Sequence, residues 1–132
     1  MLIADDEVNV ARTLQMIFEQ AGYVVTSVHS AKEALRKFEE GLRPDIVVAD
    51  LNMEREDIGL YVARAAQKLD PKPLVVICTG YANVDNSLIA LQMRIDYLAT
   101  KPVDVDDMKS ALELLLERRR MSTQRPAMLS HG

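Results

Sequence analysis

Residues 46–59 read IVVADLNMEREDIG, an apolar run that ends on Asp50 and continues into an acidic segment. Four branched or small apolar residues in succession are typical of a strand that is buried on both faces of a sheet. Packing gives such a strand no reason to end on a carboxylate, because a buried charge without a partner is costly. Asp50 therefore indicates a functional site.

The rest of the chain repeats this pattern, with short apolar runs separated by segments of helical period. Spacings of three and four between apolar residues predict five helices. Gly22 is placed to end the first helix, and Ser30 and Glu33 have the spacing of a capping box before the second. Strict alternation of strands and helices favours an α/β fold, a doubly wound five-stranded parallel sheet covered on both faces. The predicted strands are 1–4, 23–28, 45–50, 74–79 and 96–100, and the predicted helices are 10–21, 31–38, 58–69, 84–91 and 108–116.

Length and composition limit what the chain can be. Its 132 residues, of which 48% are hydrophobic, suffice for one globular domain and are too few for two ordinary ones. The net charge of -4 argues against a nucleic-acid surface, which needs an excess of clustered Lys and Arg. The apolar runs are far shorter than the roughly 20 residues of a membrane span. The single cysteine, Cys78, fits a reducing compartment, and we expect a cytoplasmic protein.

Polar residues stand at the carboxyl ends of four predicted strands: Asp5 with Asp6, Asp50, Thr79 and Lys101. The chemistry of a doubly wound sheet lies outside these ends, so we expect the five side chains to converge. Carboxylates about 4 Å apart repel by roughly 4 kcal/mol at a surface-like dielectric, and Lys101 supplies only one positive charge. A hard divalent cation with oxygen ligands, Mg²⁺ above all, would balance the charges. This favours phosphoryl chemistry with Asp50 as the attacking carboxylate.

These residues lie in four short motifs, spaced so that the functional positions are 44, 29 and 22 residues apart. Together, in this order, the motifs make the chain resemble the receiver domains of bacterial two-component response regulators. The resemblance covers about residues 1–120 and implies a flavodoxin-like (βα)5 sheet with strand order 2-1-3-4-5. Residues 121–132 would then be a flexible tail or the start of a linker to an output domain. The motifs are IADDE (3–7), VVADLNM (47–53), VVICTGYA (75–82) and ATKPVD (99–104).

The resemblance implies a role for each residue. Asp50 would accept a phosphoryl group from the histidine of a sensor kinase or phosphotransfer protein, with Mg²⁺ or Mn²⁺ as the cofactor. Lys101 would pair with Asp50 and then with the phosphoryl group, and the peptide bond to Pro102 would be cis. The Thr79 hydroxyl would move toward a phosphoryl oxygen as the switch. The metal ligands would be Asp5, Asp6, Asp50 and the backbone carbonyl of Asn52.

The chain departs from the family pattern near this site. Receivers commonly have a proline four residues after the phospho-acceptor and a glycine eight after it. Here Glu54 replaces the proline and Gly59 comes at nine, so the loop is one residue longer. Many receivers have an aromatic switch residue three positions before the lysine. That position is Leu98, and Tyr97 could serve only if the strand bulged or slipped. Tyr81, two positions after the switch hydroxyl, is placed to shield the phosphoryl group.

Two other classes of protein remain open. A phosphatase of the haloacid-dehalogenase type also uses a strand-end aspartate, Mg²⁺, a hydroxyl and a lysine. It needs an acid two residues after the nucleophile, where this chain has Asn52. An interaction module that keeps only the receiver fold would have lost acidic residues or the lysine, and this chain keeps them.

We therefore expect a phosphorylated signalling domain and not an enzyme. Its fourth helix, fifth strand and fifth helix (84–92 and 104–117 for the helices) would form the face that docks an output domain, a partner or a second copy. We expect this domain itself to bind neither nucleic acid nor a membrane.

Overall fold

The computed structural model describes residues 1–53, 57–80, 88 and 91–124, with backbone alone for 123 and 124. Five parallel strands within this part form one sheet, which confirms the predicted α/β class. The strands are β1 (Leu2–Ala4), β2 (Thr26–Val28), β3 (Ile46–Asp50), β4 (Leu74–Thr79) and β5 (Tyr97–Thr100). Their order across the sheet is β2-β1-β3-β4-β5, as the family resemblance implied.

Four helices pack around the sheet in the described part of the chain. They are α1 (Val8–Gln20), α2 (Ala31–Glu39), α3 (Gly59–Gln67) and the C-terminal helix (Val105–Gln124). The helix predicted over 84–91 lies outside the described residues, apart from Leu88 and Leu91. The C-terminal helix includes residues 121–124, which the sequence assigned to a tail, and the remaining tail residues are outside the described part. None of the helices described is both long and apolar enough to cross a membrane.

Each central strand contributes to two separate cores, because successive residues of a strand point to opposite faces of the sheet. Val47 of β3 belongs to one cluster with Val62 of α3. Val48, the next residue, belongs to the other cluster with Phe18 of α1 and Leu112 of the C-terminal helix. Complete burial of such a side chain stabilises the fold by roughly 1.5–3 kcal/mol. Burial on both faces explains the continuous apolar runs and holds the carboxyl ends of the strands in place.

The second strand is shorter than predicted. The sequence predicted a strand over residues 23–28, but β2 contains only Thr26–Val28. Its neighbour β1 has three residues, and on this side of the sheet they pair with the three residues of β2. The residues before β2 have other surroundings: Tyr23 packs edge-on against Phe18 with ring centroids 5.5 Å apart, and Val24 is 86% exposed. Residues 23–25 have the composition of a strand. They lie outside β2 because β1, the strand that β2 pairs with, is only three residues long.

The residues predicted to begin or end helices at Gly22, Ser30 and Asp104 do so, although α3 is shorter than predicted and the C-terminal helix is longer. The Oγ of Ser30 accepts a hydrogen bond from the Glu33 N–H at 3.1 Å. Asp104 caps the C-terminal helix in the same way, since its Oδ1 accepts from the Asp107 N–H at 3.0 Å. Gly22 follows α1 with a φ of 98°, a conformation that favours glycine. Each of these residues satisfies or redirects backbone groups that a helix end leaves without a partner.

Replacement of Ser30 by alanine is expected to lower the free energy of unfolding by about 1 kcal/mol, because the N–H of Glu33 loses its acceptor. Urea denaturation followed by circular dichroism measures this change. Ser110→Ala is the matched control, since Ser110 is an exposed residue inside the C-terminal helix. Equal stabilities of the two variants would show that the Ser30 cap does not stabilise α2.

Candidate functional site

Four strands bring polar residues to the same edge of the sheet. Asp50 and Thr79 are the last residues of β3 and β4, while Asp5 and Lys101 directly follow β1 and β5. Among the described residues, Asp5, Asp50 and Thr79 are the buried polar or charged ones, with exposures of 3%, 6% and 0%. Because all five strands are parallel, their carboxyl ends share one edge. The structure thus brings these predicted site residues together.

Asp5, Asp6 and Asp50 form a cluster of three carboxylates. Each offers one oxygen, and these oxygens lie within 4.8 Å of one another. Asp6 is exposed, whereas Oδ1 of Asp5 accepts a hydrogen bond from the Glu7 N–H at 2.9 Å. Burial raises the pKa of Asp5 above its ordinary value; the bond from Glu7 opposes this shift, and the Asp50 charge adds to it. The cluster therefore favours a cation that offsets its negative charge.

Lys101 supplies positive charge to this cluster. Its Nζ lies 3.2 Å from Oδ2 of Asp5, 3.2 Å from Oδ2 of Asp50 and 3.6 Å from an oxygen of Glu7. Burial alone would lower the pKa of Lys101, but the charges of Asp50 and Asp5 outweigh burial and raise it to about 12. The backbone N–H of Lys101 donates to the Thr79 carbonyl at 2.7 Å. The ammonium is therefore charged at neutral pH. The backbone bond keeps Lys101 beside the end of β4.

The cluster remains negative with Lys101 in place, because three carboxylates face one ammonium. All three are oxygen donors, which suits Mg²⁺ or Mn²⁺ better than the softer metals that histidine or cysteine would bind. His29 lies close by, but its Nδ1 is 3.1 Å from the backbone carbonyl oxygen of Asp5. The donor set of the described residues thus fits a hard divalent cation.

The chain after Asp50 returns to pack against it. The N–H of Asn52 lies 3.3 Å from Oδ1 of Asp50, and Leu51 is buried. At the start of α3, the N–H of Gly59 donates to the Leu51 carbonyl at 2.8 Å. A Cβ on Gly59 would lie 2.1 Å from the carbonyl oxygen of Asp50. Glycine is therefore the residue that fits here, and its position supports the backbone that carries Asp50.

Two contributors to the site were missed from the sequence. Glu7 lies 3.6 Å from Lys101 through its Oε1, and it directly follows the two aspartates in IADDE, which was the available signal. Gly59 was noted only for its distance along the chain from Asp50. Its close approach to the Asp50 backbone depends on how α3 packs, which no local pattern reveals.

The chain matches the family described as response regulator receiver domain over residues 1–113. It belongs to this family. Its fold is thus that of a receiver domain. This receiver is similar to transcriptional regulatory proteins of Escherichia coli K12. GlrR is 29% identical over 93% of this chain and 27% of its own length, and ZraR is 32% identical over 88% and 26%. The chain spans about a quarter of the length of these relatives.

Solved receiver structures have the same fold. A CheY-like receiver domain protein from Methanospirillum hungatei superposes with a TM-score of 0.82 at 27% identity, covering 92% of this chain and 95% of its own. TrrA from Thermotoga maritima, solved in complex with Mg²⁺ and BeF, has a TM-score of 0.72 at 27% identity over 86% and 96%. A Burkholderia pseudomallei response regulator with a phosphorylated aspartic acid and a calcium ion has a TM-score of 0.74 at 27% identity over 89% and 71%.

Four residues were predicted to modulate the receiver, and the structure describes two of them, Tyr97 and Leu98. β5 pairs with β4 in regular register over all four residues, so the bulge or slip that Tyr97 would need does not occur. Tyr97 packs against the cluster that includes α1, and Leu98 packs against the opposite one. Glu54 and Tyr81 lie outside the described residues, and their roles stay predictions. The Lys101–Pro102 peptide bond is cis, as expected.

Replacement of Lys101 by methionine is expected to destabilise the metal-free receiver by roughly 2 kcal/mol, less than the cost of breaking a fully buried ion pair because the side chain is partly exposed. Asp5 and Asp50 would then repel each other without the ammonium that lies 3.2 Å from each. Urea denaturation with and without MgCl₂ measures the change. Mg²⁺ is expected to stabilise the variant more than the wild type, since a divalent cation replaces the lost charge.

Lys32→Met is the matched control, because Lys32 lies on the exposed surface of α2. It removes the same charge outside the cluster and should leave both stabilities unchanged. The interpretation of Lys101 as the internal cation of the cluster fails if the Lys101 variant unfolds at the same urea concentration as this control.

Proposed function

We propose that this receiver accepts a phosphoryl group on Asp50 from a phosphohistidine of a sensor kinase or phosphotransfer protein. The observation that carries the proposal is the arrangement around Asp50: a strand-end carboxylate whose Oδ2 lies 3.2 Å from the Lys101 ammonium, inside a group of three carboxylates. The protein would be a substrate of the kinase and a switch, not an enzyme with turnover.

Asp50 is suited to act as the nucleophile. It ends a strand that is buried along its whole length, so its position is rigid. In the transfer, an Asp50 oxygen forms a bond to phosphorus while the bond between phosphorus and the donor nitrogen breaks, and that nitrogen keeps the electron pair. Lys101 would then pair with the new phosphoryl oxygens, and the Thr79 hydroxyl would donate a hydrogen bond to one of them. Preorganised donors of this kind stabilise charge as it develops.

A divalent cation, Mg²⁺ or Mn²⁺, would be held by Asp5, Asp6, Asp50 and the backbone carbonyl of Asn52. When bound, it neutralises negative charge on the phosphoryl group. The chemistry of the donor set supports this assignment, since every ligand is oxygen. The three carboxylates also leave the site negative after Lys101 is counted.

Phosphorylation would be read out on the face formed by the helix predicted over 84–92, β5 and the C-terminal helix. Movement of the Thr79 hydroxyl toward the phosphoryl oxygen would shift the segment that follows β4. Leu88, Leu91 and Leu114 have exposures of 50%, 75% and 52%, which suits a surface that docks an output domain, a partner or a second copy. Because the relatives are transcriptional regulators, we place the function in the cytoplasm and in the control of an output domain.

Incubation of the protein with acetyl phosphate tests the proposal. With MgCl₂, intact-mass measurement should show one added phosphoryl group, which hydroxylamine removes as expected for an acyl phosphate. With EDTA in place of MgCl₂, the addition should be lost. Absence of any mass increase with Mg²⁺ would favour an unphosphorylated interaction module. Continuous release of phosphate from an ester such as p-nitrophenyl phosphate would favour a phosphatase.

A further inference from the structure

The side chain of Asn52 joins the two flanks of the segment between β3 and α3. Its Oδ1 accepts a hydrogen bond from the N–H of Asp57 at 2.9 Å. Asp57 has a φ of 62°, in the left-handed region that residues other than glycine rarely adopt. A strained conformation persists only where its surroundings hold it. The bond from Asp57 to Asn52 is one such restraint.

The backbone of Asn52 lies next to the phospho-acceptor. Its N–H is 3.3 Å from Oδ1 of Asp50. The residues on either side, Leu51 and Met53, are buried with exposures of 3% and 0%. Their side chains are held in the core, and Asn52 between them is exposed. The backbone torsions of Asn52 therefore set the direction of the amide that faces Asp50 and of the carbonyl in the same residue.

We propose that Asn52 is a positioning residue, whose side chain holds its own backbone in place by accepting the Asp57 N–H. Its amide then stays beside Asp50, and its carbonyl stays available to the cation. The inference rests on the proposed function for the cation and the phosphoryl group. In this role the side chain acts through the main chain and not by binding the phosphoryl group or the cation. The segment that this bond restrains is one residue longer than is common in receivers, because Gly59 lies nine residues after Asp50 and not eight.

Asn52→Ala tests the proposal by removing the acceptor. Hydrogen exchange measured by NMR should show faster exchange of the Asp57 amide, and Asn52→Asp should restore its protection because an oxygen remains in the same place. Titration calorimetry with MgCl₂ should show about tenfold weaker binding to Asn52→Ala, as for other residues that orient metal ligands. The rate of phosphorylation by acetyl phosphate should fall in parallel.

Gln67→Ala is the control for a general effect on α3. It removes a side-chain hydrogen bond to the Met93 carbonyl, 2.6 Å long, at the opposite end of the same helix. It should leave Mg²⁺ binding unchanged. An Asn52→Ala variant with wild-type Mg²⁺ affinity overturns the inference, and so does one whose Mg²⁺ affinity falls only as much as that of Gln67→Ala.

The outcomes separate this inference from the proposed function. If the wild type takes up no phosphoryl group, the proposed function fails, while hydrogen exchange and Mg²⁺ binding still decide the role of Asn52. If the wild type is phosphorylated and Asn52→Ala matches it in Mg²⁺ affinity and rate, the function stands and the positioning role is wrong.

Discussion

Asp50→Asn is expected to take up no phosphoryl group from acetyl phosphate and Mg²⁺. An amide oxygen carries no negative charge and is a poor nucleophile, so the P–O bond cannot form. The substitution keeps the shape of the side chain and its place at the end of β3, and the buried strand should fold as before. Intact-mass measurement after a fixed incubation gives the phosphorylated fraction directly.

Asp45→Asn is the matched control, because Asp45 precedes the same strand at its other end and is exposed. It should be phosphorylated like the wild type. Asp6 is the exposed carboxylate of the cluster, and peptide mapping distinguishes it from Asp50 as the acceptor. A phosphoryl group on Asp50→Asn, mapped to Asp6, would contradict the assignment.

Gly59→Ala is expected to destabilise the receiver by about 3 kcal/mol, toward the upper end of what overpacking usually costs. The added Cβ would lie 2.1 Å from the Asp50 carbonyl oxygen and 2.8 Å from the Leu51 Cα. Both are backbone atoms, which cannot turn aside as a flexible side chain can. The start of α3 would have to move away from β3, and the 2.8 Å hydrogen bond from Gly59 to the Leu51 carbonyl would be lost.

Urea denaturation measures this loss, and Gly80→Ala provides the comparison. A Cβ on Gly80 meets no described atom within 4 Å, so the same change there should cost little. The variant at Gly59 should also be phosphorylated more slowly, because the displaced segment carries the backbone beside Asp50. Equal unfolding midpoints for the two alanine variants would rule out the close approach of α3.

The sequence was sufficient to predict that the site residues converge, because this depends on the topology of the sheet and not on exact distances between side chains. Asp5, Asp50 and Lys101 were each adjacent to an apolar run, and parallel strands bring such positions to one edge. The strand order was not available from periodicity, which says how each strand is buried and not which strand lies beside it. That order came from the family resemblance carried by the four motifs.

Other features escaped prediction for physical reasons. Residues 23–25 have strand-like composition, but β1 offers pairing only to residues 26–28. The bond from Asp57 to Asn52 spans five positions in an irregular segment, where no repeating pattern exists. The contact between Gly59 and Asp50 depends on the approach of a helix to a strand end. In each case a partner distant in sequence decides the local structure.

The two outer strands of the sheet have a consequence for how this receiver can associate with other proteins. β2 and β5 each pair with one neighbouring strand, and they contain only three and four residues. Short edges offer few backbone groups to an incoming strand, which limits both strand addition by a partner and edge-to-edge aggregation. We therefore expect a protein that binds this receiver to recognise side chains on the helices and on the loops around Asp50. Binding to side chains near Asp50 would change when Asp50 carries the proposed phosphoryl group. Backbone pairing at the edge of the sheet would not.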